Sequence, residues 1–168
     1  MKHLVVLLLT TSLAACAGKP IAITTHFNPA DVAWAVGNGP NGVSGQAFLR
    51  QQGGGVVTCA GEEVILVPAS PYSTERITAR YGSSTSGSAG ALFGNRLPTA
   101  EPGYESSFRR THCDAQGNFG FPNLPDGDYY IVTKVVWAVG NNIVPEGGQL
   151  MQKVSLHSGQ QPKVVLTR

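Results

Sequence analysis

Charge is the scarcest property of this sequence. Only 13% of its 168 residues are charged, about half of the usual share of roughly 25%. Twelve lysines and arginines stand against ten aspartates and glutamates, so the net charge is only +2. A nucleic-acid partner requires a clustered basic face, and this balance argues against one. Hydrophobic residues make up 42% of the chain, which is enough for a buried core and argues against wholesale disorder.

Patterns of catalysis and metal binding are missing as well. The sequence has no serine-nucleophile elbow and no phosphate-binding loop, and the adjacent Glu62 and Glu63 would face opposite sides of a strand. None of the histidines beyond the first ten residues has a metal-ligand spacing: His26, His112 and His157. Aspartates close to glycines are typical of turns, with calcium ligation as the alternative: Asp114, Asp126 and Asp128. We therefore expect no enzyme, no metal and no cofactor, with a hydrolase as the remote alternative.

No apolar run is long enough to cross a membrane, but a short one opens the chain. Lys2 precedes an apolar stretch over residues 4–9, and small residues follow, which is the layout of a secretory signal. Residues 13–16 read Leu-Ala-Ala-Cys, which resembles the lipobox of bacterial lipoproteins, where the cysteine is acylated and becomes the first mature residue. The resemblance implies a signal peptide over residues 1–15 and a membrane anchor through lipid on Cys16. The alternative is an ordinary cleaved signal in which Cys16 is incidental.

The sequence has only three cysteines, one in the lipobox-like motif and two further along the chain. Ala17 stands where the lipoprotein family's inner-membrane retention signal has Asp, so the resemblance implies an outer-membrane protein facing the periplasm. With Cys16 lipidated, Cys59 and Cys113 remain in an oxidising compartment, where paired thiols normally form a disulfide. Two unrelated buried thiols are the alternative.

Alternation of apolar and polar residues predicts strands from Val43 onward. A continuous apolar run at Val64–Val67, stopped by Pro68, predicts a central strand that is buried on both faces. Further strand segments are Val43–Leu49, Val56–Cys59, Tyr129–Trp137, Leu150–Leu156 and Val164–Leu166. About seven short strands separated by glycine- and proline-rich turns predict an all-β fold, namely an antiparallel β-sandwich.

Two segments depart from the strand pattern. A short helix is expected at Pro29–Val36, with Trp34 packing on the domain. A capped helix is expected at Tyr72–Tyr81, and the glycine- and serine-rich residues 82–91 are expected to be a flexible loop. The expected divisions are the signal peptide 1–15, the tether with its short helix 16–42, and the sandwich 43–168 with an insertion at 69–107.

The most specific motif spans residues 114–131. An aspartate and a glycine form one turn, aromatic residues follow on a strand, and a Leu-Pro-Asp-Gly turn leads into the next strand. The motif positions are Asp114, Gly117, Phe119, Phe121, Leu124, Pro125, Gly127 and Tyr129. This arrangement resembles carboxypeptidase regulatory-like domains, which are transthyretin-like β-sandwich modules. The resemblance implies an accessory domain that aids folding, adheres to a partner or binds carbohydrate, and that seldom catalyses. The insertion and the cysteine pair depart from the family pattern.

The insertion is rich in arginine and tyrosine. Arg76 and Arg80 are four residues apart and would share one face of a helix. One hypothesis is that these two residues, Arg96 and Tyr104 contact an envelope protein or an anionic glycan. The alternative is that the helix covers a sheet edge and that the arginines in or just after the insertion, including Arg109 and Arg110, pair with its acidic residues: Glu75, Glu101 or Glu105.

Two functions remain open on the sequence alone. The leading prediction is a non-catalytic cell-envelope lipoprotein whose sandwich is an accessory or protein-interaction module. The alternative is a module that binds carbohydrate or peptidoglycan, which would require an exposed aromatic platform. The candidates for such a platform are Trp34, Tyr104, Tyr130 and Trp137.

Overall fold

Nine strands and three short helices make up the described part of the chain. The structure is a computed structural model that describes residues 21–91, 96–140 and 145–168. The predicted signal peptide and the predicted lipidation site Cys16 lie outside these residues. The strands are β1 (Asn41–Arg50), β2 (Val56–Thr58), β3 (Glu63–Pro68), β4 (Ser86–Gly90), β5 (Arg109–His112), β6 (Asn118–Leu124), β7 (Gly127–Trp137), β8 (Glu146–Leu156) and β9 (Lys163–Leu166). The helices are α1 (Pro71–Tyr81) and two 3-10 helices, Pro29–Ala35 and Tyr104–Ser107.

The strands form two sheets that are antiparallel apart from one pair. The larger sheet has the order β4-β8-β7-β3-β5. In the smaller sheet β1 is central, with β6 and then β2 along one edge and β9 running parallel along the other. The backbone of Ala47 marks the step from β6 to β2, because its N–H donates to Gly117 and its carbonyl accepts from Cys59. The predicted all-β sandwich is confirmed, with nine strands in the described residues rather than about seven.

The main core lies between the two sheets. Alternation along β3 directs Val64 and Leu66 into this core, while Ile65 and Val67 face the opposite side. The smaller sheet contributes Val43, Ala47, Leu49, Phe119, Phe121 and Leu124. Each fully buried aliphatic side chain stabilises the fold by roughly 1.5–3 kcal/mol relative to an exposed one. The predicted central strand is confirmed; on its outer face Val67 is buried and Ile65 is half-buried.

The insertion packs on the outer face of the larger sheet as a third layer. Helix α1 begins after Ser70, whose side chain forms a reciprocal capping box with Ser73, and it ends at Gly82, which has a φ of +73°. Tyr72 and Ile77 pack into a second apolar cluster with the outward side chains of β3, β7 and β8. The predicted helix is confirmed. Its apolar side chains bury the outer face of the larger sheet, and its C-terminal end also contacts the edge strand β4.

The prediction of a flexible loop at residues 82–91 is wrong. Ser86–Gly90 form β4, which pairs with β8. Strand pairing uses backbone groups, so a lack of large side chains does not prevent it. Glycine is required at two places, because a Cβ at Gly87 would approach Tyr81 and a Cβ at Gly148 would collide with the backbone of β4. The composition that suggested flexibility therefore allows close packing.

The predicted N-terminal helix is present as the 3-10 helix Pro29–Ala35. Asn28 caps it with a side-chain hydrogen bond of 3.1 Å. Trp34 lies edge-to-face on Tyr129, with 5.1 Å between the ring centroids. A Cβ at Gly127 would overlap the Trp34 ring, so this glycine makes room for the contact. The helix therefore closes one end of the main core.

Asn41 is a fully buried polar residue that the sequence patterns did not single out. Its amide nitrogen donates to one turn of the chain and its amide oxygen accepts from another, at distances of 2.8–3.0 Å. The partners are the carbonyl of Leu124, the carboxylate of Asp126, and the N–H groups of Gly159 and Gln160.

The substitution Asn41→Ala should lower the free energy of unfolding by about 2–3 kcal/mol, because it removes the partners of several buried groups at once. Urea denaturation followed by tryptophan fluorescence measures this change. The exposed Asn38 is the matched control, and Asn38→Ala should change stability by less than about 0.5 kcal/mol. Equal stability of the two variants would contradict this role for Asn41.

Candidate binding groove

The motif at residues 114–131 begins with a turn built by Asp114. Its carboxylate accepts the N–H groups of Gln116 (2.9 Å) and Asn118 (2.8 Å). Hydrogen bonds from the Asn118 side chain and backbone lower the pKa of Asp114 below its usual range. Gly117 completes the turn with a φ of +81°. The carboxylate is thus engaged by the backbone of its own turn.

The other motif residues fill the core or shape the second turn. Phe119, Phe121 and Leu124 are buried between the sheets. Tyr129 donates its hydroxyl to the carbonyl of Pro125 at 3.1 Å, and burial raises the pKa of Tyr129 to about 12. The motif therefore organises the sandwich rather than a site.

Cys59 and Cys113 form the predicted disulfide, with 5.8 Å between their Cα atoms. Cys59 follows β2 of the smaller sheet, and Cys113 follows β5 of the larger one. The bond thus ties the two sheets together across the buried edge of the core.

An open groove on the outer face of the larger sheet is the best candidate for a site. It lies between α1 and the segment that precedes β5, and its volume of about 300 Å³ is at the lower end of the range for small-molecule sites. Apolar residues of β3 and β7 line it: Ile65, Val67 and Val132. Helix α1 contributes Arg76, Ile77, Arg80 and Tyr81. The remaining lining residues are Leu97, Ala100, Tyr104, Glu105, Phe108 and Gln149.

Two arginines of α1 share the wall of this groove, in agreement with their predicted common face. The guanidinium carbon of Arg76 lies 5.5 Å from the ring centre of Tyr72 and 5.7 Å from that of Tyr104. Arg80 donates from Nε to Oε1 of Gln149 at 3.1 Å. These contacts hold both charged groups beside the groove.

Tyr81 and Gln149 complete the polar part of the wall. The hydroxyl of Tyr81 also donates to Oε1 of Gln149, at 3.4 Å. Burial raises the pKa of Tyr81 to about 12, so this phenol keeps its proton at physiological pH. The Gln149 oxygen therefore already accepts two hydrogen bonds.

Ion pairs also lie on the outer face of the larger sheet, next to the groove. Arg110 bridges Glu63 (2.9 Å) and Glu105 (3.4 Å), and Lys134 pairs with Glu62 (3.0 Å). Glu62 and Glu63 border a smaller depression of about 200 Å³, which shares three lining residues with the main groove, whereas Glu105 lines the main groove itself. The acidic groups are thus largely matched by cations of their own.

The predicted partner residues are only partly brought together. Arg76 and Arg80 line the groove, and Tyr104 is buried beneath Arg76. Arg96 is exposed and is not among the lining residues. The sequence reasoning missed Gln149, because it lies 69 positions from Arg80 and only the sheet brings it near.

The predicted aromatic platform is not formed. Tyr104 and Tyr130 are only 6% and 1% exposed. Trp34 and Trp137 are partly buried and pack against the main core, on the other side of the larger sheet. The four rings therefore lie on two different faces and present no common exposed row.

The alternative had expected Glu75 to pair with an arginine. Glu75 instead contacts the N-terminal segment (residues 21–27). It accepts the backbone N–H groups of Thr24 (2.9 Å) and Thr25 (2.8 Å). Hydrogen bonds from the Thr25 side chain and from both backbone groups lower the pKa of Glu75 to about 2.

Glu101 holds the same segment at a second point. It accepts the N–H of Phe27 at 3.0 Å and lies 3.0 Å from Nδ1 of His26. These two interactions lower the pKa of Glu101, and the Phe27 contact is the larger cause. The Phe27 ring packs against Tyr72 and Tyr104, with centroid distances of 5.8 and 5.5 Å. The N-terminal segment therefore supports the tyrosines on which Arg76 lies.

The attachment of the N-terminal segment should depend on pH. A carboxylate with a lowered pKa stabilises the folded contact above its ordinary pKa, and the contact weakens as the pH falls toward the lowered value. For Glu75 this window runs from about pH 4.5 down to about 2. The amide proton shifts of Thr24 and Thr25 in NMR spectra should move in this window. They should not do so in Glu75→Gln, and a titration near pH 4.5 in the wild type would contradict the contact.

The described residues provide neither a metal cluster nor a membrane-spanning helix. Over 21–91, 96–140 and 145–168, no group of three or more histidine, cysteine or acidic side chains is placed to hold a metal ion. The helices in these ranges are not long and apolar enough to cross a membrane.

The fold and the groove together define a β-sandwich protein with a ligand-sized depression on one sheet. The chain is similar to a crystal structure from Pseudomonas aeruginosa that is described as a candidate carbohydrate-binding protein. The sequences are 26% identical, the TM-score is 0.71, and the match covers 84% of this chain and 97% of the other. No protein-family model and no curated protein matches the sequence.

Proposed function

We propose that this protein is a non-catalytic, glycan-binding module of the bacterial cell envelope and that the groove beside α1 is its binding site. The observation that carries the proposal is the composition of the groove, where an apolar floor lies next to planar polar side chains. A sugar ring presents apolar C–H groups on its faces and hydroxyl groups at its edge, and such a lining suits both. The polar side chains are those of Arg76, Arg80 and Gln149.

Two further observations support this proposal. The structurally similar protein is described as a candidate carbohydrate-binding protein. The match covers 97% of that protein and 84% of this chain. The motif at residues 114–131 resembles carboxypeptidase regulatory-like domains, some of which bind carbohydrate. Together they favour a glycan over the protein partner that the sequence alone had put first. Because the expected aromatic platform is not formed, the proposal places the sugar ring on the aliphatic floor of the groove instead.

The proposed location is the outer membrane, with a lipid on Cys16 and the domain facing the periplasm. Five residues lead from Cys16 to Ile21, and they reach at most about 18 Å. The N-terminal segment lies against α1 through Glu75 and Glu101. An anchor at Cys16 would therefore hold the α1 side of the domain, and the groove with it, close to the membrane.

Binding to a saccharide panel that includes peptidoglycan fragments tests the function. The mature protein should bind at least one saccharide, and Ala100→Trp should lower that affinity at least tenfold by filling the groove. Ala60 is exposed and lies outside the groove, so Ala60→Trp should bind as the wild type does. Absence of saccharide binding, or equal binding by both variants, would overturn the proposal.

Labelling with a radioactive fatty acid tests the anchor. The wild-type chain should incorporate palmitate and enter the detergent phase, while Cys16→Ala should do neither. Incorporation that persists in Cys16→Ala would contradict the lipid anchor at Cys16, but it would not test the proposed binding groove.

A further inference from the structure

The groove wall formed by α1 offers hydrogen-bond donors and almost no acceptors. Arg76 and Arg80 only donate. Gln149 could accept, but its oxygen already receives bonds from Arg80 and Tyr81, so its amide nitrogen is what remains. A neutral sugar hydroxyl both donates and accepts, whereas a carboxylate only accepts. This wall therefore matches a carboxylate better than a row of hydroxyls.

The net charge of the groove lining is positive, which also favours an acidic ligand. Its lining contains two arginines and one carboxylate, Glu105, which leaves one positive charge in excess. Glu105 already pairs with Arg110. Among the described residues, no carboxylate lies within ion-pair distance of Arg76. A cation in this position lacks the counter-charge that an acidic ligand would supply.

Arg76 is also held in place before any ligand arrives. Its guanidinium lies over the rings of Tyr72 and Tyr104, and its Nη1 donates to the Tyr72 hydroxyl at 3.4 Å. An arginine stacked on aromatic faces keeps its planar edge for a fork-like contact with an oxyanion. Less side-chain entropy is then lost on binding.

We infer that the groove selects acidic saccharides, in which a carboxylate on the sugar ring contacts Arg76 and Arg80 while the ring lies on the floor formed by Ile65 and Val132. This inference rests on the proposed glycan-binding function and names the class of glycan. It assigns charge recognition to the α1 wall and ring recognition to the sheet.

Calorimetric titration with trigalacturonate and with its methyl ester tests the inference, because esterification removes each carboxylate charge and adds only a methyl group to the same sugar chain. The acid should bind at least tenfold more tightly than the ester at low salt, and this preference should shrink as the ionic strength rises. Arg76→Gln and Arg80→Gln should each lower the affinity for the acid about tenfold and leave the affinity for the ester nearly unchanged. Arg50 is exposed on the smaller sheet, so Arg50→Gln should behave as the wild type.

The outcomes separate this inference from the proposed function. Equal affinity for acid and ester, or binding of neutral oligosaccharides alone, would overturn the inference and leave the glycan-binding function standing. A preference for the acid that survives both arginine substitutions would overturn the assignment to α1. Binding of no saccharide from the acidic, esterified or neutral sets would overturn the function and the inference together.

Discussion

Replacing both Cys59 and Cys113 by alanine should lower the free energy of unfolding by about 4 kcal/mol. The disulfide closes a separation of 54 residues, and in the chain-entropy account a loop of that length restricts the unfolded chain by roughly this amount. Both sulfurs are buried, since the residues are 0% and 5% exposed. Alanine therefore leaves little polar disturbance, and the loss should come mainly from the cross-link.

Urea denaturation with and without reductant separates the cross-link from the packing of the sulfur atoms. The reduced wild type should lose nearly as much stability as the double variant, and the variant should not respond to reductant. The melting temperature should fall by roughly 10 °C or more in a domain of this size. A loss below about 1 kcal/mol, or a reductant effect that persists in the double variant, would contradict the role given to this disulfide.

Tyr72→Ala should destabilise the third layer and weaken the groove at the same time. Tyr72 is 2% exposed, and its ring lies edge-to-face on Tyr104 with 4.8 Å between centroids. Removing a buried aromatic side chain lowers stability by about 3–5 kcal/mol. Arg76 would lose one of the two rings beneath its guanidinium, so saccharide affinity should fall as well.

Tyr72→Phe separates packing from hydrogen bonding. The Tyr72 hydroxyl accepts the N–H of Glu101 at 2.9 Å and a bond from Arg76 at 3.4 Å. The phenylalanine keeps the ring and should lower stability by only about 1 kcal/mol. Denaturation and saccharide titration of both variants provide the comparison. If Tyr72→Ala were as stable as Tyr72→Phe, the ring would not hold the third layer together.

The strands of the sandwich could be predicted because burial leaves a period of two in the sequence. On β3, Val64 and Leu66 face one layer and Ile65 and Val67 face another, which produces the continuous apolar run. The helix α1 was equally visible from Ser70 at its start and Gly82 at its end. These features depend on local residues and on the side of the sheet that each faces.

Features that depend on backbone pairing or on distant residues could not be predicted in this way. Strand β4 consists of small residues whose pairing with β8 leaves no apolar pattern. Asn41 joins two turns that lie more than 80 and more than 110 positions away along the chain. Such partners become neighbours only after the sheets have formed.

The candidate site could be predicted from the sequence only in part, for the same reason. The spacing of Arg76 and Arg80 placed both on one helix face, and that face does line the groove. Of the expected acidic partners, Glu75 and Glu101 hold the N-terminal segment instead, while Glu105 pairs with Arg110. A sequence shows that a helix has a charged face, but not which element covers each part of it.

The most direct test of the account is an NMR titration of the mature protein with trigalacturonate, followed through its backbone and side-chain amide signals. The account predicts shift changes concentrated at Arg76, Arg80, Tyr81 and Gln149 on the outer face of the larger sheet. The smaller sheet should remain unaffected, including the exposed Ser44 of β1. Changes centred on the smaller sheet would contradict a glycan-binding groove beside α1, and no change anywhere at saturating trigalacturonate would contradict its selection of acidic saccharides.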